Sequence, residues 1–376
     1  MGVPQLSDDE WSRTKEALDK HKWNQAKAGI ELGIPRTTVQ SRIIAARAKK
    51  LIPDGAPLEG FKVKGTSTLY DAEGEVKATW VKTAEDGPDP LWVAERLKEA
   101  FEGLTFEVPQ VPQPSETNPD CLSLFNVPDL HMGLYAYGKE VAENWDLKKS
   151  DRVYRQAFSD LVAMTPKNGT AILLGGGDQM HSDNSSNVTF ASGHSLDVDG
   201  RYERVLQVTC ELFLHFATLL LQTHDSLIIR ILKGNHDPHA YAAIAFFLLA
   251  SFRNEPRVTV DVSPSLFWVY QFGKVMLAAT HGHAAKPQKM PGIMAARWPE
   301  IWGKTQFRYA HTFHIHHRAK FLDEDGGAIV ETHHSPAPQD SYNYGHGYLS
   351  GRSLKSIIYH KKFGEFGGAV RPILPE

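Results

Sequence analysis

Asn235, His236 and Asp237 form the stretch of this chain whose residue types most clearly suggest chemistry. They follow Gly234, which breaks a short apolar run at 226–232 that has the length and composition of a buried strand. Polar side chains just past the end of a strand occupy the position where α/β proteins bind ligands. An amide, an imidazole and a carboxylate on one sharp turn therefore suit a metal site with a proton donor beside it.

Other predicted strands end in residues of the same kind. These further candidate ligands are Asp129, His131, Asp178, His281, His314 and His316. Histidine is concentrated in this part of the chain, because 17 of the 18 histidines lie from His131 onward. A series of imidazoles at strand ends favours a metal site over a set of unrelated structural histidines.

In chain order, these short motifs resemble those of the calcineurin-like metallophosphoesterase superfamily. The matching segments are D-x-H at 129–131, G-D at 177–178, G-N-H-D at 234–237, the histidine at 281 and H-x-H at 314–316. Each motif is short, but five in the family's order over about 190 residues make a specific pattern. The family usually has Gly before the first His of the last motif, where this chain has Phe313. Since His311 and His317 flank that motif, its register stays open by a residue or two.

The resemblance implies a site with two divalent cations. One metal would be held by Asp129, His131, Asp178 and His316, and the other by Asp178, Asn235, His281 and His314, with Asp178 bridging. A hydroxide between the metals would be the nucleophile, and His236 would protonate or stabilise the leaving oxygen. We expect Asp237 to orient His236, unless it only caps the turn. The preferred metal is Mn²⁺, because the ligands carry no thiolate, and Mg²⁺, Fe and Zn²⁺ are compatible with them.

Within the superfamily, three details resemble nucleases of the SbcD type, the bacterial counterpart of the Mre-eleven nuclease. They are D-x-H-x-G at 129–133, G-D-x-x-H-S at 177–182, and Asp rather than Glu at the end of G-N-H-D. The resemblance implies that His181 helps to place a DNA strand. A packing role for His181 is the competing interpretation.

The segment 286–320 gives a separate argument for nucleic acid. It carries seven Lys or Arg residues against one Glu, in a protein whose net charge is −3. Trp298, Trp302, Phe307 and Tyr309 are interleaved with these charges, and such a mixture suits a phosphate backbone with unstacked bases. The alternative is a solvated loop whose aromatic side chains lie in the core.

Residues 8–50 predict three short helices. The first runs from Asp8, its expected cap, to about Lys20. The second spans Gln25–Leu32 between Asn24 and Gly33, and the third opens at Pro35 and Arg36 and runs to about Lys49. Their spacing resembles the helix-turn-helix of Fis-like and homeodomain-like DNA-binding modules.

The third of these helices is strongly basic. Residues 36–50 hold five Lys or Arg and no Asp or Glu, which favours contact with phosphates. The candidate DNA contacts are Arg36, Thr37, Thr38, Gln40, Arg42 and Arg47. A three-helix bundle that binds protein instead of DNA is the alternative.

The chain is expected to have three regions: a helix-turn-helix domain at 1–52, a connector at 53–119 and a catalytic domain at 120–376. The connector would contain a β-hairpin turning at 71–74, a helix at about 90–104 and a Pro-rich extended spacer at 108–119. The resemblance implies that the catalytic domain is a four-layer α/β/β/α sandwich around two facing mixed sheets.

Composition restricts where and how the protein works. A net charge of −3 excludes a global attraction to nucleic acid, so a basic surface must be local. Two cysteines, Cys121 and Cys210, are too few for a disulfide framework and favour a reducing compartment. The N-terminal residues lack an apolar signal region, and the longest apolar stretches fall short of a bilayer span. We therefore expect a cytoplasmic protein that is not bound to a membrane.

Together these features predict a metal-dependent phosphodiesterase, specifically a DNA nuclease with DNA as its partner. The combination of domains also resembles phage or prophage proteins, which would place it in a host's cytoplasm. One alternative is a phosphatase or phosphodiesterase for small molecules or protein phosphate. A second is a DNA-binding or virion-associated protein without catalytic activity. The oligomeric state stays open.

Overall fold

The structure is a computed structural model that describes residues 6–21, 25–49, 51, 61–70, 76–85, 111–141, 143–189, 193, 195–316, 319–323, 327–340, 344–345, 347 and 350–375. The chain divides into two compact units, Met1–Glu95 and Arg96–Glu376. The boundaries expected at residues 52 and 119 stay predictions.

The smaller unit begins with three helices whose bounds lie close to the predicted ones. They are α1 (Asp8–Lys20), α2 (Gln25–Leu32) and α3 (Arg36–Ala48). The cap of α1 is Ser7 rather than the expected Asp8, because the Ser7 hydroxyl accepts the amide of Glu10 while the Glu10 carboxylate accepts the amide of Ser7. This reciprocal capping box satisfies two amides that the helix itself cannot. Asn24 lies outside the described residues.

Small residues let α2 and α3 approach closely. A Cβ on Gly29 would stand 2.8 Å from the carbonyl oxygen of Ile34, and Gly33 ends α2 with a φ of +67°. The buried core of the three helices includes Trp11, Leu18 and Val39. Packing at the crossing therefore depends on the absence of a side chain at Gly29.

Two antiparallel strands follow in the same unit, β1 (Phe61–Tyr70) and β2 (Val76–Glu85). They are the arms of the predicted hairpin. The residues of its turn and the helix expected at about 90–104 lie outside the described residues.

The described part of the Pro-rich spacer packs on the larger unit. The Arg257 guanidinium donates to the carbonyl of Val111 at 2.7 Å, and the Thr117 hydroxyl donates to the Asp225 carboxylate. The first strand of the large unit then begins at Asn118. The described residues 111–117 of the predicted extended spacer are therefore anchored by hydrogen bonds.

The described strands of the large unit form two mixed sheets. The six-stranded sheet has the order β13-β12-β3-β4-β5-β6, of which β3 to β6 run parallel. Its strands are β3 (Asn118–Val127), β4 (Asn168–Gly175), β5 (Ser226–Ile231), β6 (Val258–Asp261), β12 (Ser353–His360) and β13 (Gly364–Pro372).

The five-stranded sheet has the order β10-β11-β9-β8-β7, with β8, β9 and β11 parallel. Its strands are β7 (Phe267–Phe272), β8 (Val275–Thr280), β9 (Phe307–Thr312), β10 (Ala319–Asp323) and β11 (Ala328–Thr332).

Helices cover the outer faces of both sheets. Three pack with the six-stranded sheet, α4 (Leu147–Met164), α5 (Tyr202–Leu221) and α6 (Ala240–Ser251). On the five-stranded sheet a 3₁₀ turn (Pro287–Lys289) leads into α7 (Met290–Arg297) and α8 (Pro299–Lys304).

Side-chain alternation along the strands explains the layers. In β8, Leu277 and Ala279 lie in the core between the sheets, whereas Met276 and Ala278 pack against α7. The large unit is thus the expected four-layer α/β/β/α sandwich.

Helix α5 is long and apolar enough to cross a membrane by length and composition. The sequence, by contrast, predicts that every apolar stretch falls short of a bilayer span. More than half of its apolar window is buried inside the fold. Leu206, Phe213 and Leu220 lie in the core between helices and sheet. Its hydrophobicity therefore reflects its place in a core.

Candidate metal centre

The candidate ligands stand where strands end. Asp129 follows β3, Asp178 follows β4 and Asn235 follows β5, while His281 follows β8 and His314 follows β9. Parallel strands present their carboxyl ends at one edge of a sheet, and here the edges of two facing sheets meet. The fold therefore brings together side chains as far apart in the chain as Asp129 and His316.

Asp129, His131 and His316 form the first group of ligand atoms, all within 4.8 Å of one another. The Nε2 atom of His316 lies 3.5 Å from a carboxylate oxygen of Asp129 and 3.3 Å from Nε2 of His131. The burial of Asp129 and His131 shields this group from solvent. Three converging donor atoms of this type suit a divalent cation.

Asp178, His281 and His314 form a second group of the same compactness. His281 Nε2 is 3.1 Å from Asp178 Oδ2 and 3.1 Å from the amide oxygen of Asn235, so Asn235 joins this group. The other ring nitrogen of His281 lies 2.8 Å from the carbonyl oxygen of Gly176. That contact keeps a proton on Nδ1 and leaves Nε2 as the ligand atom.

The two groups lie side by side, since His281 Nδ1 is 4.0 Å from Asp129 Oδ1. Asp178 belongs to the second group, and its bridging role stays a prediction. Among the described residues, the ion pairs of Asp129 and Asp178 are made to imidazoles alone. Two buried carboxylates surrounded by histidines need positive charge, which divalent cations would supply. The donor set fits such ions.

The pKa values of His281 and Asp178 also indicate that positive charge is stabilised at this site. Burial opposes protonation of His281, yet the neighbouring Asp178 raises the pKa of His281 to about 10. In return, His281 and His236 overcome the burial of Asp178 and hold its pKa well below the ordinary value. A metal ion at Nε2 of His281 would take the place of that proton.

Backbone strain is concentrated at the same residues. Seven described non-glycine residues have positive φ, and five of them are predicted ligands. These are Asp129 (40°), His131 (46°), Asp178 (50°), His314 (73°) and His316 (54°). Such conformations cost about 1–3 kcal/mol each and persist where surrounding structure enforces them, most often at functional sites.

Asp237 has the capping role that the sequence offers as the alternative to orienting His236. Its buried carboxylate accepts the backbone amides of Gly234 (3.0 Å), Asp178 (3.1 Å) and Gln179 (2.7 Å). It thereby ties the loop after β5 to the loop after β4. Burial and the nearby Asp178 raise the pKa of Asp237 well above its usual value. No hydrogen bond between Asp237 and His236 occurs among those of the described residues, so the expected orienting contact is replaced by a clamp between loops.

His236 is oriented by a backbone carbonyl. Its Nδ1 lies 2.8 Å from the carbonyl oxygen of His181, and its amide donates to Asp178 at 2.7 Å. Its ring centroid is 4.8 Å from that of the ligand His131. Nε2 is therefore the ring atom left to exchange a proton with a substrate.

His181 is buried beside the predicted ligand His131. It is 1% exposed, and its Nδ1 atom is 3.2 Å from Nδ1 of His131, while its ring stacks on that of His236 at 5.4 Å. Burial lowers the pKa of His181 to about 3, so the imidazole is neutral. This geometry favours the packing interpretation over direct contact with a DNA strand.

Phe313, the residue that departs from the family pattern, packs against Gly176, which has no side chain. A Cβ on Gly176 would stand 2.7 Å from the ring of Phe313, which is fully buried. The neighbouring His311 turns into the core, where it contacts His333 Nε2 and the Tyr359 hydroxyl, each at 3.0 Å. His314 and His316 thus reach the ligand groups while His311 does not, and His317 lies outside the described residues.

Sequence reasoning missed His283 beside the second group. Its ring centroid is 5.3 Å from that of His281 and 6.3 Å from that of His314. The signal was present as H-x-H at 281–283, the same spacing as the motif at 314–316.

Much of the segment 286–320 is structural. The Arg308 guanidinium lies 4.3 Å from the ring centre of Trp302 and donates to the carbonyls of Trp302 and Thr305. Trp298 and Trp302 pack against the core below α7 and α8, which is the alternative given for the aromatic side chains. Lys286 and Lys289 remain exposed.

The candidate DNA contacts on α3 differ in exposure. Arg36, Thr37 and Gln40 are exposed and Thr38 is partly buried, while the side chain of Arg47 lies outside the described residues.

Arg42 instead serves the fold of the small unit. It donates to the Glu10 carboxylate at 2.9 Å and to the Thr14 hydroxyl at 3.1 Å. Arg42 therefore ties α3 to α1.

No family model and no curated protein matches the sequence. Solved structures do match, among them a conserved uncharacterized protein, a predicted phosphoesterase, from Streptococcus pneumoniae, with 11% identity and a TM-score of 0.28 over 67% of this chain and 97% of that one. A single mutant of Vps29 from Entamoeba histolytica has 10% identity and a TM-score of 0.28, covering 67% of this chain and 99% of that one. Wild-type Vps29 from the same organism, complexed with zinc, has 10% identity and a TM-score of 0.26, covering 67% and 98%. Likenesses this weak carry no functional information.

Proposed function

We propose that the chain is a metal-dependent phosphodiesterase that hydrolyses DNA, a nuclease of the SbcD type. The observation that carries this proposal is the pair of adjacent ligand groups, linked by the 4.0 Å approach of His281 to Asp129. Two groups of carboxylate, imidazole and amide donors side by side suit a pair of divalent cations. Mn²⁺ is the cation we expect, because the ligands carry no thiolate.

Bound cations would lower the pKa of a water molecule and neutralise charge on the phosphate. The chain's own residues then have separable tasks. Asp237 fixes the two loops that carry Asp178 and Asn235. His236 keeps a proton on Nδ1 through the His181 carbonyl, so its Nε2 would take up a proton and deliver it to the leaving oxygen.

DNA is proposed as the substrate because exposed positive charge occurs in both units. Arg36 on α3 and Lys286 and Lys289 beyond His281 are exposed and suited to phosphates. Phage origin and a cytoplasmic location stay predictions from the sequence.

The test is cleavage of linear, circular and single-stranded DNA in the presence of Mn²⁺, comparing wild type with His236→Ala. His236 is not placed as a ligand, so metal content should stay the same while cleavage falls by about 10²- to 10⁴-fold. His360→Ala, at the distant end of β12, is the matched control and should cleave like the wild type.

Equal cleavage by wild type and His236→Ala would refute the assigned proton donor. Turnover of a chromogenic phosphodiester without cleavage of any DNA would refute the substrate and favour a phosphodiesterase for small molecules. Retention of DNA without hydrolysis of either substrate would favour the non-catalytic alternative.

A further inference from the structure

A surface cavity of about 330 Å³ lies on the segment that leaves the first ligand group. It is lined by Tyr135, Ala136, Tyr137, Glu140, Val141 and Asp197. The two tyrosines are 45% and 46% exposed, although neighbouring Leu134 and Ala136 are buried. The cavity thus combines two accessible aromatic rings with two carboxylates, a composition that the metal centre does not explain.

The backbone fixes this cavity relative to the ligands. His131 and Met132 donate to the carbonyls of Asp178 and Gln179, which pins the ligand segment to the loop after β4. Tyr135 is the fourth residue after His131, so their Cα atoms are at most about 14 Å apart. A molecule in the cavity is therefore within reach of a phosphate ester held at the ligand groups.

The walls of the cavity are also held by backbone pairing. Ala136 exchanges two hydrogen bonds with Trp145, and the Tyr135 amide donates to the carbonyl of Asp197. Tyr137 begins a turn closed by the amide of Glu140. The rings accordingly project from a framework that is paired on both sides, which lowers the entropic cost of binding.

We propose that this cavity binds the base of a nucleotide next to the scissile phosphodiester, preferring bases that carry an exocyclic amino group. The inference rests on the proposed function and deepens it by naming a subsite. Tyrosine rings offer faces on which a base stacks. The carboxylates of Glu140 and Asp197 accept hydrogen bonds, so they suit the amino groups of guanine, adenine and cytosine and disfavour a phosphate in the cavity.

The experiment compares two chromogenic diesters, the p-nitrophenyl ester of deoxyguanosine 5′-phosphate and methyl p-nitrophenyl phosphate, which lacks a base. In the double variant Tyr135→Ala, Tyr137→Ala, KM for the nucleoside diester should rise about 5- to 150-fold, the range for loss of base stacking. The change for the methyl diester should be at least five times smaller than that, by the same principle. Phe363→Ala, which removes an exposed aromatic ring at the β12–β13 turn, is the control and should affect neither substrate.

A second variant tests the carboxylate. Glu140→Gln should reduce the preference for the deoxyguanosine ester over the thymidine ester, since thymine lacks an exocyclic amino group. An equal loss on both diesters in the double variant, or no loss on either, would overturn the subsite while leaving the proposed function standing.

If neither diester is hydrolysed by the wild type, DNA cleavage alone decides the proposed function, and the cavity is tested by binding. Saturation-transfer NMR with deoxyguanosine should then give a signal with wild type that the double variant loses. Absence of that signal in the wild type would overturn the subsite as well.

Discussion

The candidate metal centre and the three-helix unit differ in whether their local sequences favour the backbone conformations they adopt. At the metal centre, ligands such as Asp129 and His314 adopt positive φ, and charged groups are buried. In the helical unit, by contrast, Ser7 and Glu10 cap α1, and Gly33 takes up the left-handed conformation that ends α2. Strain that local sequence does not favour must be offset by the rest of the fold, and its concentration at the predicted ligands supports the proposed metal site. The helical unit shows no comparable strain in its described residues, so the proposal that it contacts DNA rests on exposed charge alone.

We expect the largest effect from Asp178→Asn at the candidate metal centre. Loss of the carboxylate removes both a ligand and the charge that pairs with His281. Turnover of a phosphodiester should fall by at least about 10²- to 10³-fold, as when a transition-state charge loses its partner. Metal content per chain, measured by mass spectrometry of the dialysed protein, should fall in parallel.

Asp151→Asn is the matched control, because Asp151 forms a salt bridge with Arg155 within α4. That variant should keep its metal and its activity. If Asp178→Asn kept both as well, the ligand assignment would fail.

Gly234→Ala should show how tightly the ligand loops are packed. A Cβ there would stand 2.0 Å from the carboxylate and 2.3 Å from the amide nitrogen of Asp178. We expect a loss of about 3 kcal/mol in the free energy of unfolding, the upper end for overpacking, together with weaker metal binding. Urea unfolding with and without Mn²⁺ measures both effects.

Gly292→Ala is the contrasting change in α7, where a new Cβ meets no atom within 4 Å. Since Ala favours a helix over Gly, this variant should gain about 0.5–1 kcal/mol. Equal effects of the two substitutions would show that the loop after β5 has room to adjust.

The same contrast explains how much could be predicted from the sequence. Asp129, Asp178 and His281 each lie within a few residues of the end of an apolar run, so local pattern is enough to place them at strand ends. The clamp made by Asp237 could not be predicted, because it joins amides 58 and 59 positions away. The packing of Phe313 on Gly176 likewise depends on a contact between the two sheets.

The edges of the sheets were also missed. The sequence predicts strands at 121–127, 171–174, 227–232, 275–279, 307–313, 327–332 and 354–360. It does not predict β6, β7, β10 and β13, which all lie at the rim of a sheet. Rim strands bury less of each side chain, as the mixed exposure along β13 shows. Their hydrophobic signal is correspondingly weak. The sequence predicts a helix over Arg152–Met164, whereas α4 begins at Leu147 because Asp146 caps it, accepting the amide of Lys149 at 2.7 Å.

His224 is expected to give an effect of intermediate size. It is a buried imidazole, as at the candidate metal centre, but its backbone is not strained. Its Nε2 atom lies 3.0 Å from the Ser123 hydroxyl, and burial lowers the pKa of His224 to about 4. In the unfolded chain the imidazole binds a proton below its ordinary pKa of 6.5, whereas in the folded chain it stays neutral until about pH 4. Stability should therefore fall as the pH falls through this window, by up to roughly 3 kcal/mol.

Urea unfolding at pH 7 and pH 5 should show a smaller pH dependence for His224→Gln than for wild type. His360→Gln, which changes a more exposed histidine, controls for the loss of an imidazole. An unchanged pH dependence in His224→Gln would show that this side chain does not stay neutral in the folded protein. His281 is buried too, yet the neighbouring Asp178 raises its pKa to about 10. The charge of a buried imidazole in this protein therefore depends on its partner and not on burial alone.

The smallest effect is expected from Arg36→Ala in the helical unit. Arg36 is exposed at the start of α3, so its removal should leave the fold intact and cost a single phosphate contact. Fluorescence anisotropy of the full chain with duplex DNA should show weaker binding and a salt slope smaller by about 0.9. Arg13→Ala, an exposed change on α1, should leave both quantities unaltered. Equal binding by the two variants would remove α3 as the DNA-contacting helix, and the exposed charge of this unit would then need another explanation, such as the protein-binding alternative.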